Sequence, residues 1–374
     1  MKDVSLCTLS LLFTLCMTSM QAQNVSYYIS DAGNFNQPPW QILKFDEQGQ
    51  NGQVFISQHL DWPQDILFFE ESNTVLVSNL NSGKISRFNA TTGAYIDEFA
   101  TGIQGPTRMK IGKDSLLYVL QWSGTGKVLR FALDGTAMGP FTATGVGTSI
   151  GIDWDSAGNL YVSSYNGKIV RKYDSTGSDK GNFISGLAGP TNIWFDAGGD
   201  LFVNDYNAGI VKQYANDGSF KANLITNVAQ CEGVQVLPDG KIVLGVGATS
   251  SVRIYNANGS FSGDLVAPGT LNLLTPNAVV RREPSVSTGT EPIRYQERQL
   301  VTPSIGTIFF LSESERLMHN GFADIMNSTG AVTGKINLAE SYTWDATSFP
   351  DGIYFLTYSI GDNTLARQKI MVQH

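Results

Sequence analysis

Four oxygen-bearing side chains fall in the two loop windows that each unit of an internal repeat offers, Asp65, Asn192 and Glu232 at entries to first strands and Asp205 between a second and a third strand. Joined by Asp31 or Asn277, they form a carboxylate and carboxamide set of the kind that holds Ca²⁺, which takes six to eight oxygens. The same residue types also cap turns and satisfy backbone N–H groups, so a structural use of these side chains stays open. A second group, Trp122, Tyr165 and Tyr206 with Phe35, offers aromatic faces beside the polar Arg108, Asn192, Asp205 and Asn277. Rings next to polar groups recognise sugars and aromatic ligands, whereas the same rings packed between structural units would only fill space.

Catalysis has fewer candidates. The histidines are His59, His319 and His374, and none falls at a repeat position suited to a general base. There is no Gly-x-Ser-x-Gly elbow, no paired histidines at metal-ligand spacing and no Cys/His pair. The carboxylate pair Asp65 and Glu232 is marked for acid–base work by nothing beyond position. Cys231 opens an apolar strand and reads as buried filler rather than a nucleophile.

These residues are positioned by a repeat of about 42 residues. The segments PQDILFF from Pro63, PTRMKIG from Pro106, SIGIDWD from Ser149, PTNIWFD from Pro190 and CEGVQVL from Cys231 start 43, 43, 41 and 41 residues apart. Each is followed by a second apolar strand, a polar turn, a third strand and a Gly-containing turn such as Asp217-Gly218 or Asn258-Gly259. Short strands at this spacing predict four-stranded antiparallel units. Such a sheet is apolar on both faces. Radial packing buries each face against a neighbour, which predicts an all-β, six-bladed β-propeller. A β-sandwich is the alternative that the regular period disfavours. The sixth first strand, PNAVVR from Pro276, has no second strand behind it, and the N-terminal stretch over 26–31, 41–46 and 53–58 lacks a first. One blade shared between the two ends is therefore expected.

The opening residues 1–22 have Lys2, an apolar run from Val4 to Met17 and a short polar region, and read as a secretory signal peptide rather than a membrane span or a lipoprotein leader. With the leader removed, Cys231 is the one remaining cysteine and no intramolecular disulfide is possible. Net charge is −8, with no Lys/Arg clusters, which argues against nucleic acid or an anionic membrane as partner.

The repeat pattern, Pro-x-x-φ-x-φ, then an acid or Gly, Leu-Tyr/Phe-Val, a polar turn and Ile-x-Lys/Arg-φ, resembles the NHL-type six-bladed propellers over about residues 25 to 282. It is more distantly similar to the streptogramin B lyase and gluconolactonase families. The gluconolactonase resemblance implies a metal at the pore mouth, with Asn192 and Asp205 as the nearest match to its ligands. The lyase chemistry needs central histidines that this chain lacks.

Residues 283–299 carry turn formers and charges without periodicity and read as a linker. Residues 300–374 contain further β segments and predict a small β-sandwich. The Ile336-Asn337-Leu338 stretch, the run from Pro350 through Gly352 and Tyr354 to Leu356, and the closing Lys369-Ile370-Met371-Val372 resemble the C-terminal sorting domains of the type IX secretion system of Bacteroidetes. That resemblance implies export across the outer membrane through the secretion machinery. A carbohydrate-binding or structural sandwich is the plainer reading. The combined expectation is a secreted or cell-surface binding module for a small molecule, glycan, peptide or protein, with no cofactor. A Ca²⁺-dependent lactonase or related hydrolase and a structural surface protein are the alternatives.

Overall fold

The computed structural model describes residues 25–283, 301–303, 305–311, 322–327, 331–337, 343–360 and 363–374. The expected leader and nearly all of the expected linker lie outside these residues. The chain divides into two compact units, residues 1–286 and 287–374.

The first unit contains six four-stranded antiparallel sheets. Sheets 1 to 5 each take four consecutive strands, and their first strands are Pro63–Phe69, Pro106–Ile111, Ser149–Trp154, Pro190–Phe195 and Cys231–Val236. Sheet 6 joins the two ends of the unit. Its first strand, Pro276–Arg282, pairs with Ser26–Asp31, which pairs with Gln41–Asp46 and then Gln53–Ile56. The pairing runs from Ser26 opposite Arg282 to Ser30 opposite Ala278. The fourth strands of sheets 3 and 4 begin at Asp179 and Phe220, just after the turn glycines Gly177 and Gly218 close tight hairpins.

Alternation along the strands sends apolar side chains to both faces, and neighbouring sheets bury them between one another. Six separate apolar clusters result, one for each pair of consecutive sheets. Sheets 1 and 2 share Leu76, Ile85, Met109 and Val119, while sheets 6 and 1 share Tyr28, Ile42, Val75, Val77 and Phe88. Each fully buried Leu, Ile or Phe of this kind contributes about 1.5–3 kcal/mol. First strands also lie side by side, and that of sheet 6 lies against that of sheet 1.

A polar girdle runs through the sheets. The penultimate residue of a second strand bonds a carbonyl of the next sheet's first strand: Ser30 Oγ to Pro63 O, Ser78 Oγ to Thr107 O, Ser163 Oγ to Thr191 O and Asn204 Nδ2 to Glu232 O. In sheet 5 the position is Gly245, where a Cβ would collide with the Pro276 carbonyl, so only glycine lets that strand approach. Arg282, at the end of the first strand of sheet 6, ties that sheet to sheet 1. Its guanidinium bonds both Glu70 oxygens at 2.7 and 2.8 Å and lies 4.4 Å from the Phe68 ring centroid.

The described residues of the second unit form a three-stranded and a five-stranded sheet. Val301, Phe309, Ile325, Trp344, Tyr354, Leu356 and Ile370 from both sheets form a shared core, with Phe309 and Trp344 stacked at 5.0 Å.

Candidate functional site

The first strands carry β-bulges near their starts. Pairing with the second strand shifts between Pro63 and Asp65, Pro106 and Met109, Ser149 and Ile152, and Pro190 and Ile193. A bulge re-aims the residue it contains, here Arg108 in sheet 2 and Asn192 in sheet 4. Side chains from widely separated sheets meet there. Arg108 Nε donates to Asn192 Oδ1 at 2.8 Å, and Nη2 donates to Glu232 Oε1 at 2.9 Å and to the Asn277 carbonyl. Asn192 Nδ2 in turn donates to the Glu232 carbonyl at 2.7 Å, and Asn277 Nδ2 to the Pro63 carbonyl at 2.7 Å. One guanidinium thus ties sheets 2, 4, 5 and 6 together. Arg108 Nη1 and Asn277 Oδ1 are buried with no hydrogen-bond partner among the described residues.

Burial controls the acids around this cation. Desolvation pushes the Glu232 carboxyl up to about 7 despite the opposing pull of Arg108. Asp65 retains some exposed surface but is densely surrounded, and desolvation raises it too. Arg108 and the amides of Met109 and Ile66 only partly oppose that rise.

The structure does not assemble the four expected metal ligands. Asp205, fully buried, accepts from the Ala188 and Gly189 amides and from Lys212 Nζ at 2.7 Å, pinning the loop that enters sheet 4. Asp31 pins the loop entering sheet 6 in the same way, through Thr275 N at 2.8 Å and Leu274 N. Asn192 and Glu232 meet, but around the Arg108 guanidinium, which supplies the positive charge a cation would have brought. A divalent ion does not fit this arrangement. Among the described residues no three His, Cys, Asp or Glu side chains are grouped to hold a metal.

The aromatic candidates come together. The residue after each second strand donates its amide to the residue before the first strand: Trp122 to Gly105 O at 2.7 Å, Tyr165 to Thr148 O at 2.9 Å and Tyr206 to Gly189 O at 3.0 Å. This fixes three consecutive rings along the end of the sheets at which the first strands enter. Trp122 and Tyr165 lie 6.0 Å apart, Tyr165 and Tyr206 5.9 Å. Trp122 and Tyr165 are partly exposed, Tyr206 is buried behind them, and Tyr165 Oη donates to Asn207 Oδ1 at 3.0 Å. Sheets 1, 5 and 6 place Leu80, Gly247 and Ala32 at this position. Phe35 lies apart from the row, 5.9 Å from Trp62.

No family model matches the chain, and no curated protein matches it. Solved structures do. A chain from the crystal structure of a nidogen/laminin complex aligns with a TM-score of 0.57 at 14% identity, over 69% of this chain and 98% of its own. A protein of unknown function from Bacteroides caccae aligns with a TM-score of 0.54 at 12% identity, again over 69% of this chain and 98% of its own. The fold is a β-propeller. At such identities the likeness carries the fold alone, and the propeller's chemistry rests on its own residues.

Of the residues expected to serve sorting, Tyr354 is buried in the second unit's core with its hydroxyl donating to Pro350 O at 3.0 Å. Gly352 begins a strand, and Lys369 is exposed opposite Phe355. Sequence patterning missed the Arg108–Glu232 pair, because partners 124 positions apart leave no local signal. It also missed the aromatic–acid pairs that close the first strands, Trp154-Asp155 and Phe195-Asp196, although their recurrence at one repeat position was visible.

Proposed function

We propose that the chain is a six-bladed propeller, closed by the sheet its two ends share, that acts as a secreted or cell-surface binding module. Six apolar clusters, one per neighbouring pair of sheets including 6 and 1, support the closed six-bladed reading. The observation that carries the binding role is the row Trp122–Tyr165–Tyr206, on three adjacent blades at one end of the sheets. The partly exposed rings of Trp122 and Tyr165, held rigidly by backbone bonds and backed by the buried Tyr206, provide apolar contact at little entropic cost, and the nearby amide of Asn207 gives polar direction. Such a face suits a glycan, peptide or small molecule.

A partner protein stands beside them as a further ligand for this face, and the nidogen/laminin neighbour was itself solved in a complex. Export through the 1–22 leader and a sorting role for residues 300–374 belong to the same proposal. They rest on the sequence resemblance, and deletion of 300–374 should trap the protein in the periplasm. The face itself is tested by screening the secreted chain against glycan and peptide arrays. Trp122→Ala with Tyr165→Ala should lower binding of a hit at least tenfold, equal to about 1.4 kcal/mol. Undiminished binding would refute the assignment.

A further inference from the structure

The opposite end of the same three blades carries a cavity of about 980 Å³, built from the ends of the first strands and the hairpins that follow them. Its construction repeats. The first strands of sheets 3 and 4 end in Trp154 and Phe195, each partly exposed. Each rests edge-on against a tyrosine of the preceding blade: Trp154 on Tyr118 at 5.1 Å, Phe195 on Tyr161 at 4.8 Å. Each tyrosine hydroxyl donates to an aspartate of its own hairpin, Tyr118 to Asp114 at 2.8 Å and Tyr161 to Asp155 at 3.1 Å. At the corresponding second-strand position sheets 1, 4 and 5 have Leu76, Phe202 and Val243, which have no hydroxyl, and sheet 6 has Tyr28, whose hydroxyl accepts from Arg282 rather than meeting a hairpin aspartate. Between the two plates Asp153 is fixed by Trp154 N and Phe195 N, both at 2.8 Å, and by Lys110 Nζ at 2.6 Å.

Two ring faces at matching positions on adjacent blades, each beside a pre-oriented carboxylate, suit a chain of saccharide units. Apolar sugar faces stack on the rings, and hydroxyls donate to the carboxylates. The charge selects among sugars. Four carboxylates line the cavity, Asp114, Asp153, Asp155 and Asp196, against the two ammonium groups of Lys110 and Lys113. Uronates and sulfated sugars are therefore repelled, and the walls are rich in acceptors, so the ligand must bring donors. We propose that this second face binds an uncharged oligosaccharide across blades 2 to 4, independently of the entry-face site.

The test is an array of neutral oligosaccharides (gluco-, xylo-, manno- and galacto-) beside uronate and sulfated polymers, probed with the intact chain and followed by calorimetric titration. The expected result is binding of a neutral oligosaccharide that Trp154→Ala weakens at least tenfold. Trp154→Tyr should retain most of it, and Trp122→Ala at the other end should leave it unchanged. Melting temperatures of all three variants check that the fold persists, and Phe195→Ala serves as a second reporter if Trp154→Ala is unstable. Preference for acidic polymers, no binding of any neutral oligosaccharide, or binding abolished by Trp122→Ala but indifferent to Trp154→Ala and Phe195→Ala would each overturn the proposal. Failure here with a surviving Trp122-dependent ligand leaves the entry-face reading standing.

Discussion

Replacing Arg108 by methionine removes the cation at the junction of four sheets while keeping much of its volume. The cost of this change depends on Glu232, which is 7% exposed and loses its ion pair with Arg108. In the native chain Glu232 is raised from 4.5 to about 7 by desolvation, a shift equal to about 3 kcal/mol. Its folded-state value lies above its unfolded one, so the folded protein holds the proton longer. The stability that Glu232 contributes is therefore fully present below about pH 4.5 and is lost as pH rises through 7. Arg108 limits that fall because it lowers the Glu232 value through both charge and hydrogen bonding. Without Arg108 the carboxyl rises further, and the loss deepens and extends above pH 7.

Breaking a buried pair by removing one partner costs about 3–5 kcal/mol. For a unit of this size that corresponds to a melting temperature lower by roughly 10 °C near pH 8. Near pH 5 Glu232 is largely neutral in both proteins, and the deficit shrinks to that of lost neutral hydrogen bonds, about 1 kcal/mol each. Thermal unfolding of the native chain, Arg108→Met and Arg108→Met/Glu232→Gln from pH 5 to 8.5 measures this directly. The double variant should regain much of the loss at pH 8, with a remainder from Asp65, which is raised in the same direction. A deficit equal at pH 5 and pH 8, or no rescue by Glu232→Gln, would refute the reasoning.

The same geometry sets two further outcomes. Arg282→Ala removes the two hydrogen bonds to the Glu70 carboxylate and the contact with Phe68, and should cost about 2–4 kcal/mol in chemical denaturation, more than Glu70→Ala, which leaves the ring contact intact. Because Arg108 occupies the space between Asn192 and Glu232, millimolar Ca²⁺ or a chelator should leave the melting temperature unchanged; a rise with Ca²⁺ would indicate a site by linkage.

Much of the architecture was legible because it is periodic. A spacing of 41 to 45 residues between starts such as Pro63, Pro106 and Pro190 is set by the length of four short strands and their turns, and the unpaired strands at each end required each other. The aromatic row was legible for the same reason, since Trp122, Tyr165 and Tyr206 hold one repeat position. The polar candidates were identified by position, but their roles were not. Asp205 at the end of a second strand looks the same in sequence whether it faces a ligand or two loop amides and Lys212. Glu232 reads as a metal ligand until Arg108 is seen beside it. Roles of this kind depend on three-dimensional partners contributed by distant repeats, and residue type alone does not encode them.

The placement of both faces depends on the two ends of the first unit sharing sheet 6, and a cross-link tests that most directly. Tyr27 and Arg281 are direct partners in the pairing of Ser26–Asp31 with Pro276–Arg282. Antiparallel partners lie about 4.5–5.5 Å apart at Cα, within disulfide range. The double variant Tyr27→Cys/Arg281→Cys, oxidised in the folded state, should form one intramolecular disulfide visible as faster migration on a non-reducing gel, absent in either single variant. Free thiols at both positions in a chain that is otherwise folded would contradict the account.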